Sequence, residues 1–187
     1  MMYKKIIRKL NPRSVVQEQW EENEYFDEAW KERLKGISNY IRDSDKAVCD
    51  FGCGPMWLKD YLLPDVQYYG VDYAKRDQST KVCDLNKGEF PQIHGGVDVS
   101  VCSGVIEYIE DVQAFIKKLS GFSRKVVLSY CSLDSFGSLG ARKRLAWKNH
   151  MHSGQLVALF YANGFKLSAI EYGLETGDIY VFERDEC

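Results

Sequence analysis

The sequence predicts an α/β domain: a mostly parallel sheet with helices on both faces and an antiparallel C-terminal strand. Three observations carry this. Short apolar runs rich in Val, Tyr and Cys alternate with segments of helical period, the pattern of strands joined by crossover helices. The runs end in acids, glycines or serines, at the edge where open parallel sheets hold ligands. The 187 residues suit one domain with a substantial core, and no repeat or linker divides them.

Each element follows in order. Val16, Trp20, Phe26, Trp30, Leu34, Ile37 and Ile41 recur near every third or fourth position, which reads as an amphipathic helix with Gly36 as a break point. "KAVCDF" is then a short buried strand. "GPMWLKDYLL" reads as the next helix, with Pro55 in its first turn, where a missing N–H costs nothing. "VQYYGVDYA" is a strand ending at Asp72, and "KVCDLN" a shorter one ending near Asp84. A strand from Val97 to Cys102 passes into a helix whose apolar face holds Val105, Ile109, Val112, Ile116 and Leu119, and "RKVVLSYC" is the next strand. Ser153 is placed as the N-cap of a last helix, Leu156, Leu159 and Phe160 as its buried stripe, and Gly164 as its left-handed C-cap. "FKLSAIEY" and "DIYVFER", joined through Gly173 to Gly177, are spaced to pair antiparallel.

Composition narrows the classes. Apolar residues at 45% and charged residues at 28% are ordinary globular usage, and no apolar run nears the roughly 20 residues that cross a bilayer, so a soluble chain without a membrane span is expected. The start "MMYKKIIRKLNP" has only Ile6 and Ile7 as an apolar centre, too little for a secretion signal, and reads as a basic tail. Cys49, Cys83, Cys102 and Cys131 lie in or beside strand-like runs, which reads as buried thiols in a reducing cytoplasm. Cys49 and Cys53 form a CxxxC without a second pair, so no metal site is expected. The net charge of -2 argues against a broad nucleic-acid-binding face.

The stretch "VCDFGCGPMWL" carries the chemistry: an acid, two glycines at alternate positions and a proline after an apolar run. A dinucleotide site wants a third glycine at GxGxxG, and that position here is Trp57; a P-loop wants GK[ST], which is absent. The turn is therefore poorly furnished for two phosphates but suits a small carboxylate near a helix start. Asp72, 22 residues after Asp50, ends the second strand where a ribose diol would be met. Adenosine plus a small carboxylate, without phosphate, describes S-adenosylmethionine, and Asp50 would favour its positive end.

On these residues the chain resembles the class I S-adenosylmethionine-dependent methyltransferases, over about Lys46 to Arg184. "CDFGCGP", "YGVDYA", "VCDLN" and "DVSVCSGVIEYIED" are similar to four of their motifs in order, and "WKNHMHSGQLVALFYANGF" to the stretch before and on their last helix. The resemblance implies a Rossmann-like sheet and one methyltransferase domain over residues 1–187, with residues 1–45 a helical cap and 46–187 the catalytic core. It assigns Asp50, Gly52 and Gly54 to the methionine part of S-adenosyl-L-methionine, Asp72 to the ribose, Asp84 and Leu85 to the adenine, and Ser103 to the cofactor side of the fourth strand. Tyr108 departs from the pattern, since relatives often have a histidine there.

Methyl transfer is an in-line displacement, so positioning and water exclusion do much of the work, and a base is needed only for a poorly nucleophilic acceptor. Candidate bases are His150 and His152 before the last helix, with Tyr108 and Glu107 at the fourth-strand turn; His94 reads as structural. His150 and Tyr108 are the catalytic candidates carried forward. The helix with Trp20 and Trp30 could fold over the site as a lid, and the insertion from Tyr130 to Ser153 would shape the acceptor pocket. Arg142, Lys143 and Arg144 either attract an anionic acceptor or face solvent. A PPY-like turn typical of nucleobase amino methylation is missing at "CSGV", which leaves a small-molecule or sugar acceptor, methylated on oxygen or nitrogen. The other reading is a non-catalytic module that keeps the same ligand and serves as a protein partner.

Overall fold

The computed structural model describes residues 26–173 and 176–184, so Val16, Trp20 and the basic start lie outside the described residues. Strands β1 (Ala47–Phe51), β2 (Gln67–Asp72), β3 (Lys81–Val82), β4 (Val97–Ser103), β5 (Ser123–Tyr130), β6 (Lys166–Glu171) and β7 (Asp178–Glu183) form one sheet in the order β3-β2-β1-β4-β5-β7-β6. β1 through β5 run parallel, and β7 is antiparallel to both β5 and β6. The expected fold class is the fold found. The chain steps outward from β1 to β3, then returns to β4 on the other side of β1, which opens a crevice between β1 and β4 beyond their carboxyl ends.

Successive strand side chains point to opposite faces, so each strand feeds two cores. Val48, Val99, Val101 and Val127 meet Leu34 and Ile37 of helix α1 (Trp30–Ser38) on one face. Cys49, Phe51, Leu128 and Phe182 meet α2 (Val112–Ser120) and α4 (Ser153–Ala162) on the other. Cys49, Cys53, Cys83, Cys102 and Cys131 are buried thiols, none in a disulfide. No helix among the described residues is long and apolar enough to cross a membrane.

Four sequence expectations change. Gly36 lies inside α1 and does not break it: a Cβ there would come within 2.9 Å of Ile179 Cδ1, so the residue lets the helix sit close on the sheet. "GPMWLKDYLL" is not an α-helix. Met56 takes a left-handed φ of 59°, and only a 3₁₀ segment, Trp57–Tyr61, follows, with Leu58 buried under α1. The expected helix from Val105 to Leu119 divides into a 3₁₀ turn at Ile106–Tyr108 and α2, because the Asp111 carboxylate accepts from Ala114 N–H at 2.9 Å and starts the helix anew. The N-cap of α4 is His152, not Ser153: Gln155 accepts from the His152 N–H at 2.8 Å and Asp134 from the Ser153 N–H at 2.7 Å. Gly164, with φ 82°, ends α4 as expected.

One buried ion pair fastens the entry to β1. Lys125 Nζ lies 2.5 Å from Asp45 Oδ2, with side chains 2% and 0% exposed, and Asp45 also accepts from Arg42 N–H at 2.8 Å. Removing one partner of a buried pair strands the other charge. Asp45→Ala is expected to lower unfolding free energy by about 3–5 kcal/mol in urea denaturation; a loss under about 1 kcal/mol would show that Lys125 finds water instead.

Candidate functional site

A cavity of about 580 Å³ opens at the carboxyl edge of the parallel strands, within the size range of small-molecule sites. It is lined by Asp50 and Gly52 from the turn after β1, Asp72 after β2, Asp84 and Leu85 after β3, and Ser103, Glu107 and Tyr108 after β4. The α1 side chains Trp30, Arg33 and Leu34 close one side, and Cys131, Leu145, Trp147 and Lys148 of the 131–153 segment close another. That segment contains the short helix α3 (Leu139–Arg144). Seven of the nine site residues anticipated from sequence thus line one cavity: Asp50, Gly52, Asp72, Asp84, Leu85, Ser103 and Tyr108. Gly54 and His150 do not line it.

The glycine turn is built against the protein's own side chains. Gly52 has φ +67°, and a Cβ there would come within 2.4 Å of Val105 Cγ2. Gly54 has φ +49°, and its Cβ would meet Phe26 Cε1 at 2.5 Å. Phe26, which packs edge-on to Trp30 and Trp57, therefore covers Gly54. Asp72 holds the turn: its Oδ2 accepts from Gly54 N–H at 2.9 Å, while Oδ1 accepts from Ala74 N–H at 3.1 Å and Arg76 Nη2 at 3.2 Å.

Arg33 was not anticipated. Its Nε donates to Ser103 Oγ and its Nη1 to Thr176 O, each at 2.9 Å, so one guanidinium ties α1 to the end of β4 and to the turn before β7. Gly104 leaves room for it, since a Cβ there would lie 2.9 Å from Nη2. Asp50 is almost fully buried and accepts from Tyr68 Oη–H at 2.7 Å. Burial raises its carboxyl to about 7; the Tyr68 bond opposes this and Asp72 adds to it.

Glu107 is buried. Its Oε1 accepts from Cys131 N–H at 2.9 Å, and Oε2 has no hydrogen-bond partner among the described residues. Burial pushes its carboxyl up, opposed by that N–H and by the charges of Arg33 and Arg142. Tyr108 is hydrogen-bonded by the Trp147 side chain, and burial pushes its phenol up, so it stays protonated and cannot serve as a base near neutrality.

His150 lies outside the cavity lining and bonds within the 131–153 segment. Its Nδ1 accepts from Arg142 Nε at 3.1 Å. Arginine keeps its proton, so the neutral imidazole carries its hydrogen on Nε2 and has no lone pair left for a base. His152 is paired with Asp134 at 2.6 Å on the exposed side of the 131–153 segment, outside the cavity lining. Arg142 is not an anion lure: it is fully buried and donates to Cys131 O, Phe136 O, Tyr130 Oη and Asn149 O, bracing the segment, while Lys143 and Arg144 are exposed.

No family model matches the chain, and comparison with curated proteins finds no match. Among solved structures, magnesium protoporphyrin IX methyltransferase from Synechocystis PCC 6803 with bound SAM aligns over 98% of this chain and 97% of its own, at 16% identity and a TM-score of 0.66. An O-methyltransferase from neocarzinostatin biosynthesis, in complex with S-adenosyl-L-homocysteine and 1,4-dihydroxy-2-naphthoic acid, aligns over 83% of this chain and 56% of its own, at 16% identity and a TM-score of 0.60. This chain has the fold of those proteins.

Asp50 gives the site a pH signature. In the folded chain its carboxyl titrates at about 7, against 3.8 as reference, so its stability contribution is full below the lower value and is lost as pH rises through the upper one. Asp50→Asn removes that loss. The stability of this variant relative to the parent is expected to climb between about pH 4 and about pH 7 in urea midpoints; a flat difference would refute the raised carboxyl.

Proposed function

We propose that the cavity binds S-adenosylmethionine and that the protein is an S-adenosylmethionine-dependent methyltransferase acting on a small-molecule acceptor. The observation that carries this is the company Asp72 keeps: a buried carboxylate at the end of β2 shares one cavity with a second acid, Asp50, and a guanidinium, Arg33. An adenosyl amino acid needs that set. Asp72 would accept from the ribose, Asp50 would face the ammonium and Arg33 the carboxylate. Asp84 and Leu85 would flank the adenine.

Asp72 has a carboxylate's roughly four lone-pair sites, and three are already used by Gly54, Ala74 and Arg76. Gripping both ribose hydroxyls would therefore displace the longest of these bonds, from Arg76. A pyrophosphate has no comparable seat. No α-helix starts after the glycine turn, so the dipole that would attract two phosphates is missing, and Asp50 would repel them.

When bound, S-adenosylmethionine supplies an electrophilic methyl carbon on a positive sulfur. The chain's own residues would position it: Gly52 and Ser103 bring backbone and hydroxyl to the crevice, while α1, Phe26 and Trp30 limit water. Segment 131–153 would form the acceptor's side.

Calorimetry with S-adenosylmethionine, S-adenosylhomocysteine and NAD tests the reading: the first two are expected to bind and NAD not, and tighter NAD binding would overturn it. Arg33→Met is expected to weaken S-adenosylhomocysteine by about 10- to 100-fold, the cost of losing charged hydrogen bonds, while adenosine, which lacks the amino acid, binds unchanged. A cation next to Asp50 lowers its pKa. Binding of S-adenosylmethionine near pH 7 is thus expected to release a proton, read as a buffer-dependent calorimetric heat that vanishes in Asp50→Asn.

A further inference from the structure

We infer that Glu107 is the catalytic carboxylate of the acceptor subsite and that the acceptor's nucleophile carries a proton, as a hydroxyl or an amine does. This rests on the methyltransferase reading and names the chemistry of its second substrate.

The walls of the cavity at this end are apolar and flat: Tyr108, Leu145, Ala146 and Trp147. Their polar groups are largely spoken for. The Tyr108 hydroxyl takes the Trp147 N–H, Lys148 Nζ lies 3.0 Å from Glu110 at the exposed rim, and Arg142 behind Trp147 is saturated by carbonyls, a phenol and an imidazole. Glu107 differs. It lines the cavity, is 3% exposed, and has one oxygen fixed by Cys131 N–H while Oε2 is unpaired. A buried carboxylate oxygen without a donor costs free energy unless a ligand brings one. Oε2 is shielded from solvent, so meeting it takes a turn of the carboxylate toward the slot; an apolar slot beside one unmet acceptor then selects a flat apolar molecule that donates an X–H bond.

The reaction balances with no further reagent. The acceptor's oxygen or nitrogen lone pair forms the new bond to the methyl carbon. The carbon–sulfur bond breaks with its electron pair left on sulfur, which becomes neutral. The proton leaves the acceptor atom for Glu107 Oε2 and passes on to solvent. Burial already biases this carboxyl toward holding a proton, which suits a group that must take one transiently. An acceptor without an X–H would leave Oε2 as unmet as before.

The test uses phenol, aniline and anisole. They share one ring, and anisole is phenol with its donor replaced by the methyl ether that transfer would produce. NMR titrations of the intact chain, with and without S-adenosylhomocysteine, are expected to show phenol or aniline binding at least fivefold tighter than anisole; which of the two does so assigns the acceptor as hydroxyl or amine. Glu107→Gln keeps the Cys131 bond through its carbonyl oxygen and turns an NH₂ toward the Oε2 position, so that preference is expected to vanish. Equal binding of all three rings to the parent chain, no binding of any, or a preference that survives in Glu107→Gln overturns the inference. Toluene, which matches phenol in size without a donor, controls for the added bulk of anisole: equal binding of phenol, aniline and toluene to the parent chain overturns the inference even if the variant does not fold. Calorimetry of S-adenosylhomocysteine in the same samples separates the two readings: its failure to bind refutes the cofactor, whereas the ring comparison without it still judges Glu107.

Discussion

The hydrogen bond from the backbone of Gly54 to Asp72 is the constraint on which the site depends. It joins the turn leaving β1 to the end of β2, so that two loops from neighbouring parallel strands share one geometry. With Gly54 held, the backbone takes two left-handed glycines and then a left-handed Met56, and no α-helix can start. The crevice between β1 and β4 is therefore walled by loops and by the first turns of α1, and no α-helix starts from the glycine turn itself. Its positive charge comes from side chains, and that favours a ligand with localised charges over one with a spread of phosphate oxygens.

The same logic explains why α1 belongs to the site as well as to the core. Leu34 and Ile37 bury against the sheet, and Arg33 reaches Ser103 and Thr176 from the same helix. Packing and ligand chemistry are thus served by adjacent residues. A guanidinium fixed at two points has lost its rotamer freedom before any ligand arrives, which lowers the cost of ordering it on binding.

Much of this was legible in the sequence, for identifiable reasons. The strands announced themselves because both-face burial gives short apolar runs, and the acids ending them fell at one edge because parallel strands share direction. Asp50, Asp72, Asp84 and Ser103 could be found by that rule alone. Arg33 could not: it lies 70 residues from Ser103 and sits among ordinary alternating charges on a helix. One available signal was its place beside Leu34 on the apolar stripe. Arg142 misled for the opposite reason. A run of three cations reads as surface, whereas the fold buries the first and exposes the other two. Periodicity also overran local geometry at "GPMWLKDYLL" and at Val105–Leu119, where backbone turns at Met56 and Asp111 cut helices the apolar spacing would have continued.

The electrostatics of the cavity are the last step. Asp50 and Glu107 are both lifted by burial, and they line one space with two guanidiniums, Arg33 and Arg76, the second of which is already paired with Asp72. Two carboxyls in a low-dielectric cavity do not both keep a charge cheaply without cationic company. Burial holds the Asp50 carboxyl well above the usual carboxylate range, so an incoming cation favours its charged form and gains a strong partner. Glu107 already feels the charges of Arg33 and Arg142, and what it still lacks is a hydrogen-bond donor for its second oxygen. On the proposed reading the two acids divide the labour by environment alone: the one bonded to Tyr68 meets fixed charge, and the one with an unpaired oxygen meets a proton in transit.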